Sequence, residues 1–127
     1  MDRPLFRRLR GASGESLVSE YPETLREKQS RFALMVAQLI LFAYSEGYEI
    51  TLGHAERCEV CPVGLANSNH KVRLAIDLHL FRDGSYLRST EDHRVLGEFW
   101  EDLARDARWG GRFGDGNHYS LEHHGVR

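Results

Sequence analysis

Apolar positions in this chain follow two spacings, and the places where one gives way to the other mark out its elements. Phe32, Met35, Val36, Leu39, Ile40 and Ala43 recur every three or four residues, as on one face of a helix. Thr24-Leu25-Arg26-Glu27 has the form of a capping box, Pro22 and Glu23 suit a helix start, and Gly47 can end it. Such a stripe is core rather than a cofactor site, and burying it is worth roughly 1.5–3 kcal/mol per large side chain. A strand is expected over Tyr48 to Leu52. From His54 to Asn69 the periodicity is lost, so a loop is expected there. Alternation then runs from about Val72 to Phe81, with Leu74, Ile76, Leu78 and Leu80 on one face and Ala75, Asp77, His79 and Phe81 on the other. Asp83-Gly84 predicts a hairpin turn into Ser85-Tyr86-Leu87.

A second helix is expected from about Thr90 to Arg105. Ser89 with Asp92 supplies its capping signal, and Val95, Leu96, Phe99, Trp100 and Leu103 its apolar face. Two short strands, near Trp109 to Phe113 and His118 to Leu121, would close the sheet. No internal repeat interrupts the order of helix, strands, helix, strands. That order predicts one α+β domain over residues 1–127, a small antiparallel sheet packed with helices.

Composition narrows the partners more than the fold. A chain of 127 residues supports one core rather than two. Its net charge of −2 gives no global electrostatic reason to expect a nucleic-acid partner. Arg3, Arg7, Arg8 and Arg10 crowd the start beside Gly11, Ser13, Gly14 and Ser16. Residues 1–20 are therefore expected to form a basic, extended arm, either simply solvated or meeting an anionic envelope surface. No secretory signal follows it. The best apolar segment, Phe32 to Tyr44, is broken by Gln38 and falls short of the roughly 20 residues of a membrane span, so no stable membrane insertion is expected. Cys58 and Cys61 form a single Cys-x-x-Cys with His54 upstream. One such pair is weak evidence for zinc, and Pro62 with Gly64 reads as a loop rather than a redox motif. Loop thiols without a metal are the simplest reading, with a disulfide or a structural zinc site as alternatives.

Candidate chemistry lies in His70, Asp77, Asp115 and His118. Two imidazoles and a carboxylate can hold a zinc ion and leave its fourth position open to water, and a second carboxylate can take a proton from that water. Asp77 carries the suggestion furthest. Flanked by Ile76 and Leu78, it must point away from the core or find a strong partner. A solvent-facing aspartate, or one paired with Arg73 or Arg82, remains the alternative. Asp115 before a glycine is also a common turn residue, and His118 could be an ordinary histidine. His79 shares the face of Asp77 and is expected to neighbour the site or stand on the surface. His93, His123 and His124 are spare histidines, the last two expected in solvent.

Taken together, Ser68-x-His70, Ala75-x-Asp77-Leu78, Trp109-Gly110-Gly111 and Asp115-x-x-His118 resemble the zinc D-Ala-D-Ala carboxypeptidase and L-alanyl-D-glutamate endopeptidase family, above all its short bacteriophage endolysins. That family shares its fold with the hedgehog signalling domain. The resemblance covers about Tyr48 to the C-terminus, so residues 48–127 would carry the catalytic motifs. It implies one Zn2+ per chain held by His70, Asp77 and His118, with Asp115 at the position of the catalytic carboxylate. Arg57, in Gly53-His54-Ala55-Glu56-Arg57, matches an arginine that in relatives binds the scissile carbonyl or a substrate carboxylate, and Ser68 fits a substrate-side serine.

Two departures stand out: Arg73 replaces a common glycine, and Cys58 to Asn67 does not match the usual helix-and-glutamine stretch. The implied protein is a monomer that hydrolyses bacterial peptidoglycan stem peptides. It would be made in the host cytoplasm without a signal peptide and act on the periplasmic wall after release through a holin-type pore. A D,D-carboxypeptidase, or a zinc-containing binding module that does not cut, are the alternatives.

Overall fold

Helix α1 (Leu25–Ser45) begins as its sequence predicts. The Thr24 hydroxyl accepts from the Glu27 backbone N–H at 3.1 Å, and the Glu27 carboxylate accepts from the Thr24 N–H at 2.9 Å. It ends on Gly47, whose φ of +88° is open to glycine at little cost. There Gly47 N–H bonds the Tyr44 carbonyl at 3.1 Å and Tyr48 N–H the Ala43 carbonyl at 3.0 Å, a Schellman closure. This computed structural model describes residues 23–53 and 72–124. The basic arm, His54, Arg57, Cys58, Cys61, Ser68 and His70 lie outside them.

After α1 come β1 (Glu49–Leu52), β2 (Ala75–Arg82) and β3 (Ser85–Leu87). A 3-10 turn at Glu91–His93 leads into α2 (Arg94–Leu103), followed by β4 (Ala107–Trp109), a second 3-10 turn at Gly110–Phe113, and β5 (His118–Leu121). All strand pairs are antiparallel, in the order β1-β2-β5-β4, with β3 also on β2. The long strand β2 is the hinge of this arrangement: β5 pairs with Ala75, Ile76 and Asp77, and β3 with Leu80, Phe81 and Arg82. The described residues thus form one α+β domain, two helices packed with a five-strand antiparallel sheet. No helix among them is long and apolar enough to cross a membrane.

Alternation holds along β2, although Ala75 on the opposite face is fully buried as well. Leu74, Ile76, Leu78 and Leu80 are buried with Tyr119, Leu121 and Trp109 under Met35, Leu39, Leu96 and Trp100 of the helices. Phe42 and Phe99 stack at 4.1 Å between ring centres, and Phe32 meets Trp100 edge-on at 5.7 Å, joining α1 to α2. At the start of α1, Arg31 reaches two carboxylates at once, Glu23 at 2.9 Å and Asp106 at 2.6 Å. Burial works against its charge, but those two partners outweigh it and keep the guanidinium protonated. The helix is thereby tied to the turn before β4.

Three expected elements differ. The strand expected from about Val72 begins only at Ala75, after Arg73 has turned the chain with its φ of +58°. The second helix does not start at Thr90. The Ser89–Asp92 box does form, with Asp92 N–H on the Ser89 hydroxyl at 3.0 Å, but it opens the 3-10 turn, and α-helix begins only at Arg94. The strand expected near Trp109 to Phe113 lies instead at Ala107–Trp109, because Gly110 and Gly111 let the chain fold back as a 3-10 turn.

The packing of α2 on β4 gives a direct test. A Cβ on Gly97 would overlap the ring of Trp109. Gly97→Ala adds helix propensity of up to about 1 kcal/mol, yet overpacking typically costs about 1–3 kcal/mol. The variant is expected to lose about 1–2 kcal/mol in urea unfolding. A gain in stability would show that α2 does not press on Trp109 in this way.

Candidate functional site

Register between β2 and β5 puts Asp77 directly opposite His118. Directly opposed residues project from the same face of a sheet, here the face turned away from Ile76, Leu78 and the helices. His118 Nδ1 lies 3.4 Å from Asp77 Oδ1, with the side chains 9% and 15% exposed. That separation exceeds the usual 2.7–3.2 Å of an N–H···O hydrogen bond. Two donors each about 2.0–2.1 Å from one tetrahedral ion would stand roughly 3.3–3.4 Å apart. The pair therefore has the spacing, as well as the nitrogen and oxygen donors, of two corners of a zinc site.

The backbone around the pair is tightly specified. Gly53, at the end of β1, donates its N–H to the Asp77 carbonyl at 2.7 Å. A Cβ on Gly53 would stand 2.8 Å from that oxygen and 3.0 Å from Asp77 Cβ, so only glycine lets β1 run this close. Beyond His118, the Leu78 N–H donates to the Asn117 carbonyl at 2.9 Å, stitching the turn before β5 onto β2.

Trp109-Gly110-Gly111 holds the other side of that turn. The Trp109 indole N–H donates to the Gly116 carbonyl at 2.7 Å, and Asp115 N–H donates to the Gly110 carbonyl at 2.8 Å. His118 N–H in turn donates to the Asp115 carbonyl at 3.2 Å. A Cβ on Gly110 would strike the Asp115 carbonyl oxygen and come within 2.8 Å of His118 Cβ, and one on Gly111 would strike the Trp109 ring. Each motif residue thus has a positional reason. The small ones bring the chain back so that Asp115 and His118 share one turn. The Asp115 side chain is exposed. The exposed Phe113 lies with its ring centre 6.3 Å from that of His118.

Of the expected site residues, Asp77 and His118 face each other across the β2–β5 pair, and Asp115 lies on the turn before β5 with its side chain exposed. His70, Arg57 and Ser68 lie outside the described residues, as do Cys58 and Cys61. Among the described residues no three metal-donor side chains converge. Arg73, just before β2, has a φ of +58°, in the left-handed region that glycine enters freely.

His93 is not the spare histidine that sequence suggested. It is 1% exposed, and its Nδ1 lies 2.8 Å from the Tyr119 hydroxyl. Burial pushes its pKa down to about 4, so the ring is neutral at pH 7. Burial likewise raises the Tyr119 phenol. Tyr119 is the chain neighbour of His118, so this bond fixes the core side of the strand that presents the candidate ligand. The signal available in the sequence was Tyr119 itself, whose hydroxyl on a core-facing position needs a partner. His123 also differs from expectation: it is half-buried, its ring against His124 at 4.1 Å and its Nδ1 3.5 Å from Lys28 Nζ. No family model matches the chain, and no curated protein matches it either.

Proposed function

We propose that the protein is a zinc-dependent peptidase of bacterial peptidoglycan, an endolysin-type enzyme cutting the L-alanyl-D-glutamate bond of stem peptides. The carrying observation is the Asp77–His118 pair, half-buried and buried, at the donor spacing of a tetrahedral ion, with Asp115 on the same turn as His118. Arg73, a departure from the glycine common in that family, has a φ of +58°, which glycine adopts freely, so the departure is compatible with this reading. Asp77 and His118 would hold the ion together with His70. A zinc ion bound there would lower the pKa of its water toward about 7 and polarise the scissile carbonyl.

The chain's own groups do the rest. Asp115, exposed and anchored through its backbone, accepts the proton of the attacking water and returns it to the leaving amine. Arg57 is proposed to steady the oxygen on which charge develops. Synthesis in a host cytoplasm and action on the wall after release through a membrane pore complete the proposal.

Asp115→Ala separates base from ligand. It is expected to retain zinc and lose about 10²–10⁴-fold in muropeptide hydrolysis, the range for a general base. Digestion of purified muropeptides, followed by mass spectrometry, names the bond. Freed L-Ala ends identify an endopeptidase, and loss of a single alanine a carboxypeptidase. Unchanged hydrolysis by the Asp115 variant would remove that residue from the mechanism.

A further inference from the structure

His79 stands two residues along β2 from Asp77, on the same face. Its Nδ1 lies 3.3 Å from the hydroxyl of Tyr86, with ring centres 6.0 Å apart. Tyr86 on β3 faces Phe81 across the hairpin at 5.2 Å and is largely exposed. Arg88 follows, its guanidinium 5.4 Å from the Tyr86 ring centre. Extending the β2–β3 register by one pair sets Arg88 opposite His79.

Arg31, Arg94, Arg108 and Arg112 each pair with a carboxylate, and Arg82 donates to the Glu46 carbonyl, whereas Arg26, Arg88 and Arg105 have no carboxylate partner among the described residues. Of these three, Arg88 lies beside the Asp77 face of β2. Among the described residues Arg88 contacts the Tyr86 ring and no carboxylate. An exposed guanidinium over an aromatic ring, beside a phenol and an imidazole, offers a fork of donors with an adjoining hydrogen-bonding edge.

We propose that His79, Tyr86 and Arg88 form a subsite for a carboxylate of the substrate peptide. The subsite rests on the peptidase reading only in naming that peptide. Arg88 supplies the charge and the paired donors, and the Tyr86–His79 edge holds the second oxygen or the adjoining amide. Two residues of strand span about 6.6 Å. A peptide whose carboxylate sits on Arg88 therefore places a bond one or two residues away over Asp77 and His118. The subsite would thus choose acidic stem peptides and set which bond is cut.

Binding and cleavage are tested apart. Metal-stripped full-length protein is titrated, by NMR of the His79 and Arg88 side chains, with L-alanyl-D-glutamate, with its diamide, and with inorganic phosphate. The diacid is expected to bind at least about tenfold more tightly than the diamide, the lower end for a charge-assisted pair. Arg88→Gln should erase that preference and Arg88→Lys restore part of it.

On zinc-loaded protein, Arg88→Gln should raise KM for acidic muropeptides and spare the amidated ones. Equal binding of diacid and diamide, phosphate binding as tight as the diacid, or an unchanged preference in Arg88→Gln would each overturn the subsite. If the acid preference is present and lost in Arg88→Gln while no muropeptide is cut, the subsite stands and the peptidase reading falls. Cleavage with no acid preference gives the reverse.

Discussion

Asp77→Asn is expected to abolish zinc binding and peptide hydrolysis together while leaving the metal-free fold in place. The substitution keeps the side chain's shape between Ile76 and Leu78, and the backbone bonds from Gly53 N–H to the Asp77 carbonyl and from Leu78 N–H to the Asn117 carbonyl do not involve it. What it removes is the anionic donor opposite His118. Loss of partners that merely orient zinc ligands costs about 10–100-fold in affinity, so loss of a ligand should exceed that.

Stability reports the same event. At a zinc concentration a thousandfold above Kd, binding contributes about 4 kcal/mol, which for a domain of this size corresponds to a rise in Tm of roughly 10–20 °C. Elemental analysis should find one zinc per wild-type chain and almost none in Asp77→Asn. Calorimetry should show a zinc-dependent Tm shift in the first and none in the second. A variant that kept its zinc, or a wild-type protein indifferent to zinc and to chelator, would leave Asp77–His118 as a simple cross-strand pair and end the metal reading.

How far that pair could be foreseen depends on where its information lies. Helix α1 was legible because every part of its signal is local: the Thr24–Glu27 box, the apolar period and Gly47 all fall within one stretch. β2 was legible for the same reason, since alternation is written in consecutive residues. The pairing of Asp77 with His118 is not local. Sequence marks both as candidate ligands, but their opposition comes from the β2–β5 register, which depends on burying Ile76 and Tyr119 on the other face.

Where the local signal misled, a tertiary contact had overridden it. Trp109 and Phe113 read as a strand. Yet the Trp109 indole needs the Gly116 carbonyl, and the two glycines between Trp109 and Arg112 let the chain turn to supply it. The Ser89–Asp92 box formed as expected, but a box fixes only the first turn, and here that turn is 3-10. Nothing near His93 in the sequence announces that its partner is the hydroxyl of Tyr119, on a strand far along the chain.

That buried histidine should make the fold sensitive to acid. The unfolded chain has His93 near its ordinary value of 6.5, whereas burial depresses it to about 4 in the folded state. Asp92 opposes this shift and His79 adds to it, both more weakly than burial. Between these two values the unfolded state binds a proton that the folded state refuses, so stability rises with pH and is lost as pH falls from 6.5 toward 4. A shift of this size corresponds to roughly 3 kcal/mol over the window. His123, also lowered by burial and then by Lys28 and His124, adds in the same direction.

Because zinc ligands must be deprotonated to bind, the measurement belongs on metal-stripped protein. Urea unfolding of the wild type should lose roughly 3 kcal/mol between pH 7 and pH 4. His93→Gln, which can still reach the Tyr119 hydroxyl but cannot take a proton, should be less stable at pH 7 and much flatter across the range. Parallel curves for the two proteins would mean that His93 takes up its proton without unfolding the chain. The strand carrying His118 would then lack the rigid, neutral support that the 2.8 Å bond to Tyr119 describes.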